Sequence, residues 1–192
     1  MSFIKEADFE EALIVQLQEK GWTGGVIKNA TEQQLIQNWA DILFENNRSR
    51  DCLNDYPLTQ GEMQQILEQV KALRTPLKLN DFINGGSVLI KRDNPDDKEH
   101  YGKEVALKIY DRLEIAAGQS RYQIAQQPKF PTKSPILNNR RGDLMLLING
   151  MPVIHIELKK SGIPVRHVTR LKNMRQKVYL QVSSRWFKYL SR

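Results

Sequence analysis

Two apolar runs meet at Asn149-Gly150. Few dipeptides commit a chain to a β-hairpin as strongly, because both residues tolerate the left-handed backbone that a tight turn requires. The first run, 143–148, opens with Asp143, and the second, 152–159, ends in Glu157-Leu158-Lys159. Period-two alternation places His155, Glu157 and Lys159 on one face of the second strand and Ile154, Ile156 and Leu158 on the other. The turn then decides what faces what. A loop of Asn149 and Gly150 alone sets Asp143 opposite Ile156, on the wrong side of the sheet for Glu157. A three-residue loop with Gly150 in the left-handed bulge position, or an equivalent bulge in a strand, sets Asp143 directly across from Glu157. The bulged arrangement is the expectation.

That pairing has a chemical reading. Asp143 and Glu157 supply the hard oxygen ligands that Mg²⁺ prefers, and the ion retains several waters. Such an ion lowers the pKa of a bound water and stabilises charge on a phosphoryl oxygen. Lys159, two residues from Glu157 on the same face, is placed to orient or help deprotonate the attacking water. The set reads as a phosphodiester hydrolysis site. The bland reading of the same residues is a strand ending in Glu-x-Lys on a solvated face.

The chain before Gly85-Gly86 reads as helices. Phe9, Leu13, Ile14 and Leu17 recur at helical spacing up to Gly21. Thr31 fits the N-cap of a second helix running through about Phe44, with Leu35, Trp39, Ile42 and Leu43 inward. A third, from near Thr59 to Leu73, carries Met63, Ile66, Leu67 and Val70 and ends before Pro76. Beyond the glycines, 87–92, 104–114 and 120–127 read as strands. Asp93–Tyr101 reads as a charged, solvated turn, and 126–139, with its three prolines, as an irregular connection. The expected architecture is α/β, a central mixed sheet flanked by helices. With 192 residues and no convincing linker, one domain is expected.

Charge is distributed unevenly. Of the 29 Lys and Arg, ten lie between Leu158 and Arg192, a stretch without Asp or Glu, so the rest of the chain is slightly acidic. The single Cys52 forms no internal disulfide, and no apolar run approaches a membrane span. An acidic N-terminal stretch argues against a signal peptide. A cytoplasmic protein with no membrane association is expected. His100, His155 and His167 lack zinc-like spacing with Cys52, and neither Ser87 nor Ser134 has a nucleophile-elbow context. Lys160, Arg140 and Arg141 are candidate phosphate contacts.

RRGDLMLLINGMPVIHIELKKSGIPV (140–165) resembles the N-terminal nuclease domain of the R (restriction) subunit of type I restriction–modification enzymes. These belong to the restriction-endonuclease-like superfamily. The resemblance rests on the basic residue before Asp143, the Asn-Gly-x-Pro turn, Glu-Leu-Lys-Lys and the glycine after it. DFEEALIVQLQEKGW (8–22) resembles the same domain's first helix, and Glu10 falls where the family carries an acid near the metal. From the residues alone, Glu10 is an exposed helix carboxylate. The resemblance implies a restriction-endonuclease-like fold and a Mg²⁺-dependent DNA endonuclease with Asp143, Glu157 and Lys159 catalytic. It also implies double-stranded DNA as substrate, and the methylation and specificity subunits of the complex as partners. The family is ATP-dependent, yet no GxxxxGK[ST] loop occurs in this chain.

The resemblance stops near Val165, so the expected division is a nuclease-like domain over 1–165 and a basic tail over 166–192. In the family a Gln-x-x-x-Tyr helix follows this strand, and that pattern is absent after Lys159. Permissible codons for Val168–Arg192, read one nucleotide back, restore it. The tail is therefore expected to be out of frame and poorly ordered, and the chain a truncated or frameshifted copy. Two rivals remain: a non-catalytic DNA-binding module, and an inactive remnant of a disrupted restriction gene.

Overall fold

Phe9, Leu13 and Ile14 fall on one face of the first helix, α1 (Glu6–Glu19), and all three are buried. Each is worth about 1.5–3 kcal/mol when fully removed from water. Gly21 ends the helical segment at φ +101°, which lets the Trp22 N–H return to the Leu17 carbonyl at 3.1 Å. The computed structural model describes residues 6–48, 53–73, 75–84, 86–131, 139–159 and 177–182. After α1 the chain forms β1 (Val26–Lys28), α2 (Glu32–Asn47), α3 (Gln60–Lys71), α4 (Pro76–Ile83), β2 (Ser87–Lys91), β3 (Glu104–Lys108) and α5 (Arg112–Ala116). Then follow β4 (Tyr122–Gln126), β5 (Lys129–Pro131), β6 (Asn139–Arg141), β7 (Leu144–Ile148), β8 (Met151–Lys159) and β9 (Lys177–Val182).

The class is α/β, as expected. Contacts divide the chain into two units. The first holds α1, β1 and β4 to β9, with a sheet of order β1-β4-β7-β8-β9. It is mixed: β1 runs parallel to β4, while β4–β7 and β8–β9 are antiparallel. Leu144, Leu146, Ile124, Ile156 and Leu158 form one buried cluster with Phe9, Leu13 and Ile14, so α1 covers one sheet face. Strand β9 lies in the 166–192 segment and pairs with β8 from Ile154↔Val182 to Lys159↔Lys177. Residues 160–176 and 183–192 lie outside the described residues.

The second unit holds nearly all of α2 together with α3 to α5, the β2–β3 hairpin and the turn residues Asn149–Met151. Gln65 on α3 works as a substitute strand for β2. Its amide donates to the Lys91 carbonyl at 3.0 Å and accepts from the Lys91 N–H at 2.8 Å.

Several local expectations change. The third helix ends before Pro76 as expected, but a further helix then starts there: Thr75 caps α4 by accepting from the Lys78 N–H, with Pro76 at its first turn. The 104–114 run splits into β3 and the short helix α5, capped by Asp111. Part of the 126–139 connection forms the β5–β6 ladder. The charged turn at Asp93–Tyr101 is not wholly solvated: Asn94, Asp97 and His100 are buried. Arg92 accounts for the difference. Its guanidinium, buried at 1% exposure, pairs with Glu62 at 2.8 Å and Asp97 at 3.1 Å. A charge that neutralises its neighbours lets acidic residues leave water.

Candidate active site

Of the two arrangements expected, a bulged loop or an equivalent bulge in a strand, the turn itself does not supply the first. Asn149 (φ +50°) and Gly150 (φ +83°) are both left-handed, the signature of a two-residue type I′ turn between Ile148 and Met151. Carried regularly, that turn would set Leu144 opposite His155 and turn the two strands' apolar residues to opposite faces. Yet Leu144, Leu146, Ile154, Ile156 and Leu158 share one core cluster. Strand β7 pairs regularly with β4 from Leu144 to Ile148, and β8 pairs regularly with β9 from Ile154 to Lys159. The extra residue therefore falls between Met151 and Ile154, beside Pro152, which has no N–H for a ladder. The shift comes from a strand bulge rather than from the loop. It turns Leu144 and Ile156 to one face and leaves Asp143, the residue before β7, beside the Glu157–Leu158 peptide.

The side chains agree with this register. Asp143 Oδ2 accepts from the backbone N–H of Leu158 at 2.5 Å. Its carboxylate thus sits against the Glu157–Leu158 peptide, at the end of two central strands. Asp143 and Glu157 are both partly exposed. His155 is buried, and a Cβ at position 142 would come within 3.0 Å of its Nε2, so Gly142 lies against the imidazole.

Glu10 is not the exposed carboxylate that its helix position alone suggests: it is only 4% exposed. Its Oε1 accepts from Gln126 Nε2 at 2.7 Å, and Gln127 Nε2 reaches both carboxylate oxygens at 3.4 and 3.3 Å. Adjacent strand residues normally point to opposite faces. Gln127 takes φ +50°, which breaks the alternation and lets both amides turn to one carboxylate. The Gln127 N–H in turn donates to the Asp143 carbonyl at 2.7 Å. This glutamine pair was missed in the sequence; its only signal was a Gln-Gln dipeptide at the end of a strand.

Among the described residues, no three His, Cys, Asp or Glu side chains converge to hold a metal. An ion that keeps most of its water needs few protein oxygens, and Asp143 and Glu157 offer carboxylates at this end of the sheet. Gln126 Oε1 is a buried acceptor with no hydrogen-bond partner among the described residues, an electronegative atom that fits a site for a hydrated cation. The donor set, all hard oxygens, fits Mg²⁺ or Mn²⁺. Lys159 lies in β8 with its backbone paired to Lys177, and Arg140 and Arg141 lie in β6 opposite Phe130 and Lys129. The side chains of these three, and all of Lys160, lie outside the described residues. No helix among the described residues is long and apolar enough to cross a membrane.

A mixed sheet covered by a helix, with Asp143 at the start of one central strand and Glu157-x-Lys159 at the end of its neighbour, is consistent with the restriction-endonuclease-like fold. Comparison with known sequences narrows this. A model of the family described as type I restriction enzyme R protein N terminus matches residues 3–190, and the chain belongs to that family. It is 32% identical over 169 residues to an endonuclease subunit of a type I restriction enzyme from Staphylococcus saprophyticus. That match covers 86% of this chain and 16% of the relative. It is 27% identical over 184 residues to the corresponding subunit from Staphylococcus aureus strain MSSA476, covering 93% of this chain and 17% of that protein. The chain thus spans about a sixth of the length of these relatives. No solved structure matches.

Proposed function

We propose that this chain is a Mg²⁺-dependent DNA endonuclease domain that hydrolyses phosphodiester bonds within a type I restriction–modification complex. Its substrate on this reading is double-stranded DNA, and its partners are the methylation and specificity subunits. The observation that carries the reading is the placement of Asp143 against the Glu157–Leu158 peptide. In the division of labour proposed here, Asp143 and Glu157 hold the ion. When bound, the ion polarises the scissile phosphate and acidifies the attacking water. Lys159 orients that water and offsets charge developing on the phosphate. Arg140, Arg141 and Lys160 hold the DNA backbone, which positions the duplex without reading its sequence. Sequence choice then falls to the specificity subunit.

The test is nicking of supercoiled plasmid in Mg²⁺ by this chain, by Asp143→Ala and by Lys159→Ala. Cleavage by the parent chain that both substitutions abolish supports the reading. Equal cleavage by all three places the activity elsewhere. A folded chain that cuts nothing, even with its partner subunits supplied, favours an inactive remnant.

A further inference from the structure

The Asp143 carboxylate can hold an ion only if its backbone is fixed, yet it lies just outside β7, where the ladder ends. Its side chain takes the Leu158 N–H, Gly142 before it donates to the Pro128 carbonyl at 3.1 Å, and its own carbonyl is held by the Gln127 N–H at 2.7 Å. Gln127 is itself in a left-handed conformation that a residue with a Cβ rarely adopts unaided. The bond to Asp143 and the side-chain amide held by both oxygens of Glu10 oppose its relaxation. Gln126, paired with Leu144 in the β4–β7 ladder, anchors the same carboxylate from the neighbouring position. Glu10 belongs to the rigid, core-packed α1. A chain of contacts therefore runs from α1 through Glu10 and Gln127 to the backbone of Asp143.

We propose that Gln127, locked by Glu10 and supported by Gln126, is a positioning residue for the metal-binding carboxylate Asp143. The assignment rests on the nuclease reading above. It gives Glu10 a task that needs no direct contact with the ion: keeping the Gln126–Gln127 segment in the one backbone geometry that presents Asp143. Losing such a supporting contact typically costs about 10–100-fold in metal affinity.

The test is calorimetric titration of Mn²⁺ into the intact chain, with melting temperature as a check on folding. Gln127→Gly keeps the left-handed backbone and the N–H but removes the tether. Gln127→Asn also tolerates this conformation, and its shorter side chain falls short of Glu10. Both should weaken Mn²⁺ binding about 10–100-fold while melting within a few degrees of the parent chain. Glu10→Ala should match them, and Glu10→Ala with Gln127→Gly should lose no more than either alone, because both act through one link. Glu10→Gln, which keeps an acceptor for the amides, should recover most of the affinity. Gln127 variants that bind Mn²⁺ within twofold of the parent, or losses that add in the double variant, would overturn the proposal. Asp143→Ala separates the two failures. If it abolishes binding while the Gln127 variants are silent, only the positioning role falls. If it binds as the parent does, or if the parent takes up no Mn²⁺ at millimolar concentration, the metal-site reading falls too.

Discussion

Replacing Arg92 with Ala should cost the second unit about 3–5 kcal/mol, the usual penalty for stranding a buried charge partner. The magnitude follows from what the guanidinium holds. It donates from Nη1 to Glu62 at 2.8 Å, from Nε to Asp97 at 3.2 Å, and from Nη2 to the Tyr56 carbonyl at 3.3 Å. The side chains of Glu62 and Asp97 are fully buried, so truncation strips two carboxylates of the cation that pairs with them. Each keeps other donors: Glu62 the N–H groups of Thr59 and Asp93, Asp97 the N–H of His100. Those bonds should keep the loss inside that range rather than beyond it. Urea unfolding at neutral pH measures the difference directly. Calorimetry should show a fall on the order of 10 °C, at about 2–4 °C per kcal/mol for a chain of this size. The pH dependence gives an independent check. Burial pushes the Asp97 carboxyl up, but the His100 N–H, the Arg92 guanidinium and the His100 ring outweigh it and hold Asp97 below its ordinary value. A depressed pKa contributes stability that is present above the unfolded pKa and lost as pH falls through the folded one. The parent chain should therefore weaken below about pH 4. The variant, relieved of stranded charge by protonation, should weaken less, and the gap between them should narrow. A loss below about 1 kcal/mol, the value of an exposed pair, or a gap constant into acid, would refute the argument.

Millimolar Mn²⁺ should raise the melting temperature, since a ligand at about 100 times its Kd adds about 2.7 kcal/mol to the native state; a folded chain whose melting point ignores the ion counts against a formed site. Lys159→Ala should change stability by less than about 0.5 kcal/mol and leave Mn²⁺ titration intact, while plasmid nicking falls about 10²–10⁴-fold. Unfolding of that variant would make the lysine structural. Gly150→Ala should cost about 1–3 kcal/mol, because the position holds φ +83° and a Cβ there would meet the Trp39 Cα at 2.8 Å. Urea unfolding of Gly150→Ala within experimental error of the parent chain would show that the turn relaxes freely.

Where the sequence carried a periodic or turn signal, the fold was legible. The apolar stripes of α1, α2 and α3 and the Asn149-Gly150 hairpin all formed where the pattern placed them. Signals that span an element boundary were read wrongly. Residues 104–114 keep an apolar texture through Ile109 and Tyr110, both buried, so the helix at Arg112–Ala116 was hidden behind a strand-like run. Thr75-Pro76 closes one helical stretch as expected and also opens the next, since a Thr N-cap followed by Pro at the first helical position is a start signal. Three-residue β1 gives no period to detect, and its pairing with β4 is non-local. Arg92 carried no sign that its charge would be matched from α3, thirty residues earlier.

The candidate site was legible in its residue types but only half legible in its geometry. Asn-Gly specifies a two-residue turn so strongly that the turn forms as the dipeptide prefers, and a turn of that length alone puts Asp143 in register with Ile156. The apolar residues of the two strands impose a conflicting demand, because Leu144 and Leu146 must share the α1 face with Ile154, Ile156 and Leu158. Burying that cluster is worth more than one ladder hydrogen bond, at about 1.5–3 kcal/mol per side chain against about 0.5–1.5 for the bond. Pro152 has already forfeited its ladder donor. The mismatch is therefore absorbed at the least costly position, between Met151 and Ile154, and the correction is carried along β8 to its far end. Asp143 reaches the Glu157–Leu158 peptide because the core, not the turn, decides which residues share a face. The same logic explains Gln127: an irregular residue at a strand end is tolerated where side-chain amides and a buried carboxylate hold it in place.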